Sequence, residues 1–169
     1  MDIDSLQQNT KELAVKNFKE RMSCSEAVLS AVISAGLISY PRDIVALATG
    51  FGGGIGLAGF NCGALSGAVM AVSGVHGRRN PITGTPDERT QLTYGKIYRI
   101  FNSLVQDFQE ELGSVDCMEL CKNYDFNTKE RSEYCAGIVE YATTLAVSYI
   151  ALGEFYSTKS YGKNMAGLK

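Results

Sequence analysis

The sequence has a single histidine, no Cys-x-x-Cys pair and no Gly-Lys-Ser/Thr. Each absence excludes a class of protein. Without a compact cysteine pair there is no zinc ribbon and no thioredoxin-type motif. Without Cys-x-x-Cys-His covalent haem attachment is not implied. Without Gly-Lys-Ser/Thr there is no phosphate loop of the NTPase kind. The lone His76 follows the start of its helix by 14 residues. At 1.5 Å per residue that is roughly 20 Å from Cys62, too far for a catalytic Cys–His pair. The simplest reading of His76 is a solvent-facing residue or a partner for a helix C-terminus. No hydrolase, kinase or transferase constellation stands out.

Charge of one sign is also missing. Sixteen Lys and Arg against 18 Asp and Glu give a net charge of −2. No basic field invites nucleic acid. Met1-Asp2-Ile3-Asp4 is acidic and lacks a basic segment followed by an apolar one, so no signal peptide is expected. The longest apolar run, 136–152, is interrupted by Glu140 and is short for a membrane span. The expectation is a cytoplasmic protein that is not embedded in a membrane.

What the chain does have is glycine and cysteine. Positions 50–67 hold eight of the 18 glycines and end by delivering Cys62. Glycine takes positive φ without steric cost and lets backbones approach closely. So dense a run is a backbone fitted against another segment or a ligand. Gly54-x-Gly56-x-x-Gly59 formally matches a dinucleotide fingerprint. No clear second strand and no acidic residue about twenty positions on accompany it, so the match is weak. Small apolar residues follow from Ala64 to Val72, the composition of a buried, closely packed helix. Asn61 reads as its N-cap, making Cys62 the first helical residue. A thiol there faces free N–H groups and the positive end of the helix dipole, which favours thiolate.

The rest reads as helices. Residues 4–20 place Leu6, Leu13, Val15 and Phe18 on one face. Ser23 and Glu26 form a capping box that opens a helix ending at Gly36. Pro41 starts a third, 42–49, for which a strand is the competing reading. The Cys62 helix ends near Val75. Thr85-Pro86 opens what reads as the longest helix, which carries apolar residues from Leu92 to Leu112 and stops at Gly113. Asp116 reads as an N-cap for Cys117, with Glu119 three residues on. Thr128 caps a last helix ending at Gly153. Residues 1–155 make one all-α, single-domain bundle of about six helices, with a Gly-rich loop before the Cys62 helix. Residues 156–169 form a polar tail, expected to be mobile.

Cys24, Cys62 and Cys117 therefore share one local setting. If their helix ends converge, and Cys135 joins them, the sulfurs meet in one electropositive pocket. Three readings stay open. The cysteines could exchange thiol for disulfide or carry electrons, with Cys62 attacking and Cys24, Cys117 or Cys135 resolving. They could hold a metal, as zinc or as an iron–sulfur cluster. They could be packing residues of a non-catalytic ligand-binding module. Cys121 lies one helical turn after Cys117. That spacing is awkward for a disulfide between the two, though they could share a metal.

The order of Cys24, the Gly-rich stretch into Cys62-Gly63-Ala64-Leu65-Ser66-Gly67, then Cys117 and Cys135, resembles the C_GCAxxG_C_C family of small bacterial and archaeal proteins. The likeness runs over about residues 18–150. It implies a redox-active protein whose site cysteines are Cys24, Cys62, Cys117 and Cys135, with Cys121 outside the set. A related domain resembles part of the split-Soret cytochromes, which implies an electron-transfer or iron–sulfur setting. The partner implied is a redox protein or a small-molecule substrate, and a homo-oligomer stays open.

Overall fold

In the computed structural model, which describes residues 2–168, the three-to-four-residue apolar spacing becomes helix, and there is no strand among those residues. The fold is an all-α bundle. Its elements are α1 (Ile3–Lys19), α2 (Cys24–Ser34), a 3₁₀ helix (Arg42–Phe51), the glycine turn α3 (Gly52–Ile55) and α4 (Gly63–His76). Then follow α5 (Pro86–Leu92), a π turn (Thr93–Ile97), α6 (Tyr98–Leu112), the single turn α7 (Cys117–Leu120) and α8 (Lys129–Tyr156).

The 28-residue α8 is the axis of the bundle, and α1, α2, α4 and α6 pack on it. Among the described residues it is the one helix long and apolar enough to cross a membrane; here half of that apolar window is buried by the other helices. Val28 and Val32 of α2, Leu65 and Val72 of α4, Leu104 and Phe108 of α6, and Val139 and Tyr149 of α8 are fully buried. Each such side chain contributes about 1.5–3 kcal/mol over its exposed state. The small residues of α4 do what their size permits. A Cβ at Gly67 would lie 2.7 Å from the Ser25 carbonyl oxygen, so α2 and α4 touch backbone to backbone there.

Local signals set most helix ends. The Ser23–Glu26 and Thr85–Glu88 capping boxes both form, and Gly113 closes α6 at φ 81°. The segment after Pro41 is helical, as a 3₁₀ helix, and the competing strand does not form. Three readings need correction. The helix opened by Thr85 is interrupted by the π turn around Gly95, and α8 is the longest element. Gly153 does not end α8. The helix kinks at Leu152 and continues to Tyr156. The kink lies where His76 meets α8, with Nε2 3.0 Å from the Tyr149 carbonyl oxygen and 3.3 Å from that of Ile150. Only glycine fits at 153, because a Cβ there would enter the His76 ring. His76 is thus half-buried and ties α4 to α8 rather than facing solvent.

The polar tail is docked as far as it is described. Arg99 Nη1 donates to the Lys159 carbonyl at 2.6 Å, and the Arg99 guanidinium lies over the Tyr161 ring. Asn102 accepts from the Gly162 N–H at 2.8 Å and donates to the Lys163 carbonyl at 3.0 Å. These side chains of α6 hold a segment whose composition alone reads as free.

Candidate functional site

The glycine run folds into a left-handed turn. Five consecutive residues have positive φ: Gly53 (64°), Gly54 (69°), Ile55 (64°), Gly56 (59°) and Leu57 (70°). Three glycines take that conformation freely. Ile55 and Leu57 carry Cβ-to-carbonyl crowding of about 1–2 kcal/mol each. The turn is held because the Gly59 and Phe60 N–H groups donate back to the Gly53 and Gly54 carbonyls. The segment then pairs antiparallel with the chain before α7. Cys62 N–H donates to the Val115 carbonyl, Cys117 N–H to that of Phe60, and Met118 N–H to that of Gly59. This short clasp brings the two cysteine-bearing segments together.

The glycines make room for sulfur, not for a nucleotide. A Cβ at Gly54 would lie 2.8 Å from the Cβ of Cys117, and one at Gly63 would lie 3.3 Å from the Cβ of Cys24. With no strand before it among the described residues, Gly54-x-Gly56-x-x-Gly59 is not a dinucleotide loop. It is the turn over which α2 and α7 present their thiols.

All five cysteines share one electrostatic neighbourhood. The ionisation of Cys24 is opposed by Cys62 and Cys117, that of Cys62 by Cys117 and Cys121, and that of Cys121 by Cys135. The closest sulfur pair whose separation is resolved is Cys121–Cys135, with Sγ atoms 3.7 Å apart. Cys117 lies close enough to Cys121 for its thiol to be raised by that neighbour. Arg131 reaches the same cluster. It bonds the Cys117 thiol, donates to the Tyr124 carbonyl at 3.3 Å, and lies 5.1 Å over the Phe126 ring.

The sign of the thiol shifts corrects the sequence reading. Cys62 is the N-cap of α4, and Gly63 is the first helical residue. Asn61 does not cap; its Nδ2 donates to the Ser66 hydroxyl at 2.9 Å. The N–H groups of Leu65 and Ala64 do pull the Cys62 pKa down, but burial outweighs them and the thiol is pushed up to about 11. Burial, then Cys62 and Cys117, push Cys24 up to about 12. Cys117 is the first residue of α7, yet Asp116 makes no side-chain cap. Its hydrogen bond to Cys121, then burial, hold it well above the usual thiol range, with Arg131 opposing. Cys121 is lowered by its bond with Cys117. Its bond to Cys135, burial and the neighbouring sulfur together outweigh that and leave it raised. This is the pattern of a thiol that accepts from Cys117 and donates to Cys135.

Raised thiols give a testable pH dependence. In the unfolded chain these groups lose their protons near pH 9, whereas folded Cys62 and Cys24 keep theirs to about pH 11 and 12. The folded state then binds more protons, so stability is full below pH 9 and falls as pH rises through the folded values. Thermal melting between pH 9 and 10, below the range where the buried tyrosines titrate, should show a steeper loss for the wild type than for Cys24→Ala/Cys62→Ala. Parallel curves would contradict the assignment.

Two open grooves reach the cluster. One, of about 960 Å³, is lined by Cys24, Cys117 and Cys135. The other, of about 450 Å³, is lined by Cys117 and Cys121. Cys62 lines neither and is 5% exposed. Leu57, Phe60, Met118 and Phe126 are exposed on the same segments.

A family model for "Putative redox-active protein (C_GCAxxG_C_C)" matches residues 22–149. The chain belongs to the C_GCAxxG_C_C family. It is also similar to an uncharacterized protein of Archaeoglobus fulgidus, with 31% identity over 145 residues, covering 83% of this chain and 93% of that one. No solved structure matches. The C_GCAxxG_C_C span contains all five cysteines, including Cys121, which the four-cysteine pattern leaves aside. Sequence reasoning missed the central place of Cys121 and missed Arg131 entirely. The one signal for Cys121 was its four-residue spacing from Cys117, which puts both on one helical face. Arg131 gives no signal, because a cation in the first turn of a helix reads as solvated.

The thiols are the right donors for zinc or an iron–sulfur cluster. Among the described residues, no three Cys, His, Asp or Glu side chains are spaced to hold a metal ion as they stand.

Proposed function

We propose that this C_GCAxxG_C_C protein is a thiol–disulfide oxidoreductase in which Cys135 attacks and Cys121 resolves. The observation that carries the reading is the 3.7 Å Sγ–Sγ separation of this pair, with Cys135 lining the larger groove and the buried Cys121 lining the smaller one. A disulfide needs sulfurs about 2.05 Å apart, so closure takes a side-chain adjustment rather than a refolding.

The chemistry balances as follows. The Cys135 thiolate attacks one sulfur of a disulfide RSSR; that S–S bond breaks, and RS⁻ leaves and takes up a proton. Cys121 then attacks Cys135 Sγ, forming the internal disulfide and expelling the second RSH. Two protein thiols are oxidised and one disulfide is reduced to two thiols. Cys117 supports the sequence by its hydrogen bond to Cys121, which favours the Cys121 thiolate. Turnover needs a reducing compartment such as the cytoplasm to restore the dithiol.

The test is thiol counting and peptide mapping on anaerobically purified protein before and after mild oxidation, with metal content measured on the same sample. The expected result is loss of two thiols per chain, Cys121 and Cys135 linked, and no metal released. Unchanged thiols would support packing cysteines. Stoichiometric zinc or iron lost as thiols appear would support the metal reading. Either outcome overturns the proposal, as does a disulfide between any other pair.

A further inference from the structure

The larger groove is charged with one sign. Lys19, Arg21, Lys129 and Arg131 line it, and no Asp or Glu does. The whole chain has 18 acids to 16 Lys and Arg, so a lining with four cations and no acid is a local segregation against the overall balance. Two carboxylates stand next to this lining without entering it. Glu26 accepts from the Ser23 N–H at 2.8 Å and from the Thr49 hydroxyl. Glu133 meets Lys129, one of the four cations, at 3.5 Å in a largely exposed pair and offsets part of its charge. The N-termini of the 11-residue α2 and the 28-residue α8 also open on this groove, through Ser23–Cys24 and Thr128–Lys129. Both add positive potential. Low-dielectric walls of one sign concentrate ligands of the other. Phe18, Met22, Leu57 and Phe126 complete the walls and suit methylene groups.

We infer that the groove binds a low-molecular-mass disulfide carrying carboxylates, and that the cations steer it so that its S–S bond meets Cys135. This rests on the thiol–disulfide reading and adds the substrate class to it. The volume of about 960 Å³ accommodates a molecule of that size. The carboxylates meet the cations at the rim, while the short apolar arms and the disulfide lie deeper, against Cys24, Cys117 and Cys135.

The test uses three probes of similar size with the full chain: dithiodipropionate with two carboxylates, uncharged hydroxyethyl disulfide, and cystamine with two ammonium groups. All measurements are made in the Cys121→Ser background, where the mixed disulfide on Cys135 is not resolved, and its rate of formation is read by mass spectrometry. Each rate is divided by that of the same probe with mercaptoethanol, which removes intrinsic differences between leaving groups. At low ionic strength the anionic probe should exceed the cationic one by about tenfold or more. The gap should close toward 1 M salt, where the screening length is about 3 Å. In Lys19→Glu/Lys129→Glu the ratio of anionic to uncharged probe should fall about tenfold. Equal normalised rates, or a faster cation, overturn the groove assignment and leave the exchange reading intact. Absence of a mixed disulfide with all three overturns both.

Discussion

Cys121→Ser is expected to stop the reaction half-way. With an excess of small disulfide, the variant should accumulate a mixed disulfide on Cys135, close to one per chain, instead of closing an internal bond. Release of the second thiol should slow by ~100-fold or more, because a nucleophile held beside its target is worth orders of magnitude over one in solution. The wild type has such a nucleophile at 3.7 Å. The readout is the mass of the quenched protein together with the time course of released thiol. Cys135→Ser should instead form no mixed disulfide at the groove. Release of the second thiol at the wild-type rate in Cys121→Ser would mean that another cysteine resolves. The sequential mechanism built on this pair would then be wrong.

Gly54→Ala should cost about 2–5 kcal/mol, the sum of a left-handed residue with a Cβ and overpacking. The added methyl would meet the Phe60 carbonyl oxygen and amide nitrogen at 2.6 and 2.7 Å and the Cys117 Cβ at 2.8 Å. Backbone atoms cannot rotate away, so the clasp between the glycine turn and α7 must part. For a chain of this size that is a fall of about 4–20 °C in melting temperature. Gly36→Ala is the internal control. Gly36 has φ 72° but nothing within 4 Å of its would-be Cβ, so only the conformational term of about 1–2 kcal/mol applies. Circular dichroism melts of both variants decide the matter. Equal losses would show that Gly54 serves backbone conformation alone and is not packed against the cysteine segment. A loss confined to Gly54 would tie the stability of the turn to the spacing of the sulfurs.

These two experiments probe one arrangement from opposite ends. The thiols come from four separate stretches of chain: α2, the start of α4, α7 and α8. They meet because Gly54 and Gly63 leave room for Cys117 and Cys24, and because α7 and its neighbouring strand-like segment pair with residues 59–62. A Cβ at either glycine would push the cluster apart, and a missing sulfur at 121 would leave the cluster in place without its central link. The raised thiols at 24, 62 and 117 follow from the same closeness. Each ionised sulfur would sit beside others in a buried setting, so few of them can be thiolates together.

Helix positions were legible because they depend on neighbours in sequence. Ser23 with Glu26, Thr85 with Glu88, and Gly113 after Leu112 are contacts within one turn, and the chain forms them wherever it goes. The apolar faces of α2, α4 and α8 follow from 3.6 residues per turn, which sets the all-α class and the buried, small-residue character of α4. The family pattern was legible for the same reason, since it is an order of residues along the chain. The sign of the thiol shifts was not. A helix N-terminus lowers a thiol pKa through one turn of backbone, whereas burial raises it through every element packed around it, and only the fold says how complete that burial is. The docking of the tail on Arg99 and Asn102, the contact of His76 with α8, and the approach of Cys121 to Cys135 likewise join residues far apart in the chain. No local spacing encodes such meetings, because they are fixed by how the helices pack on α8.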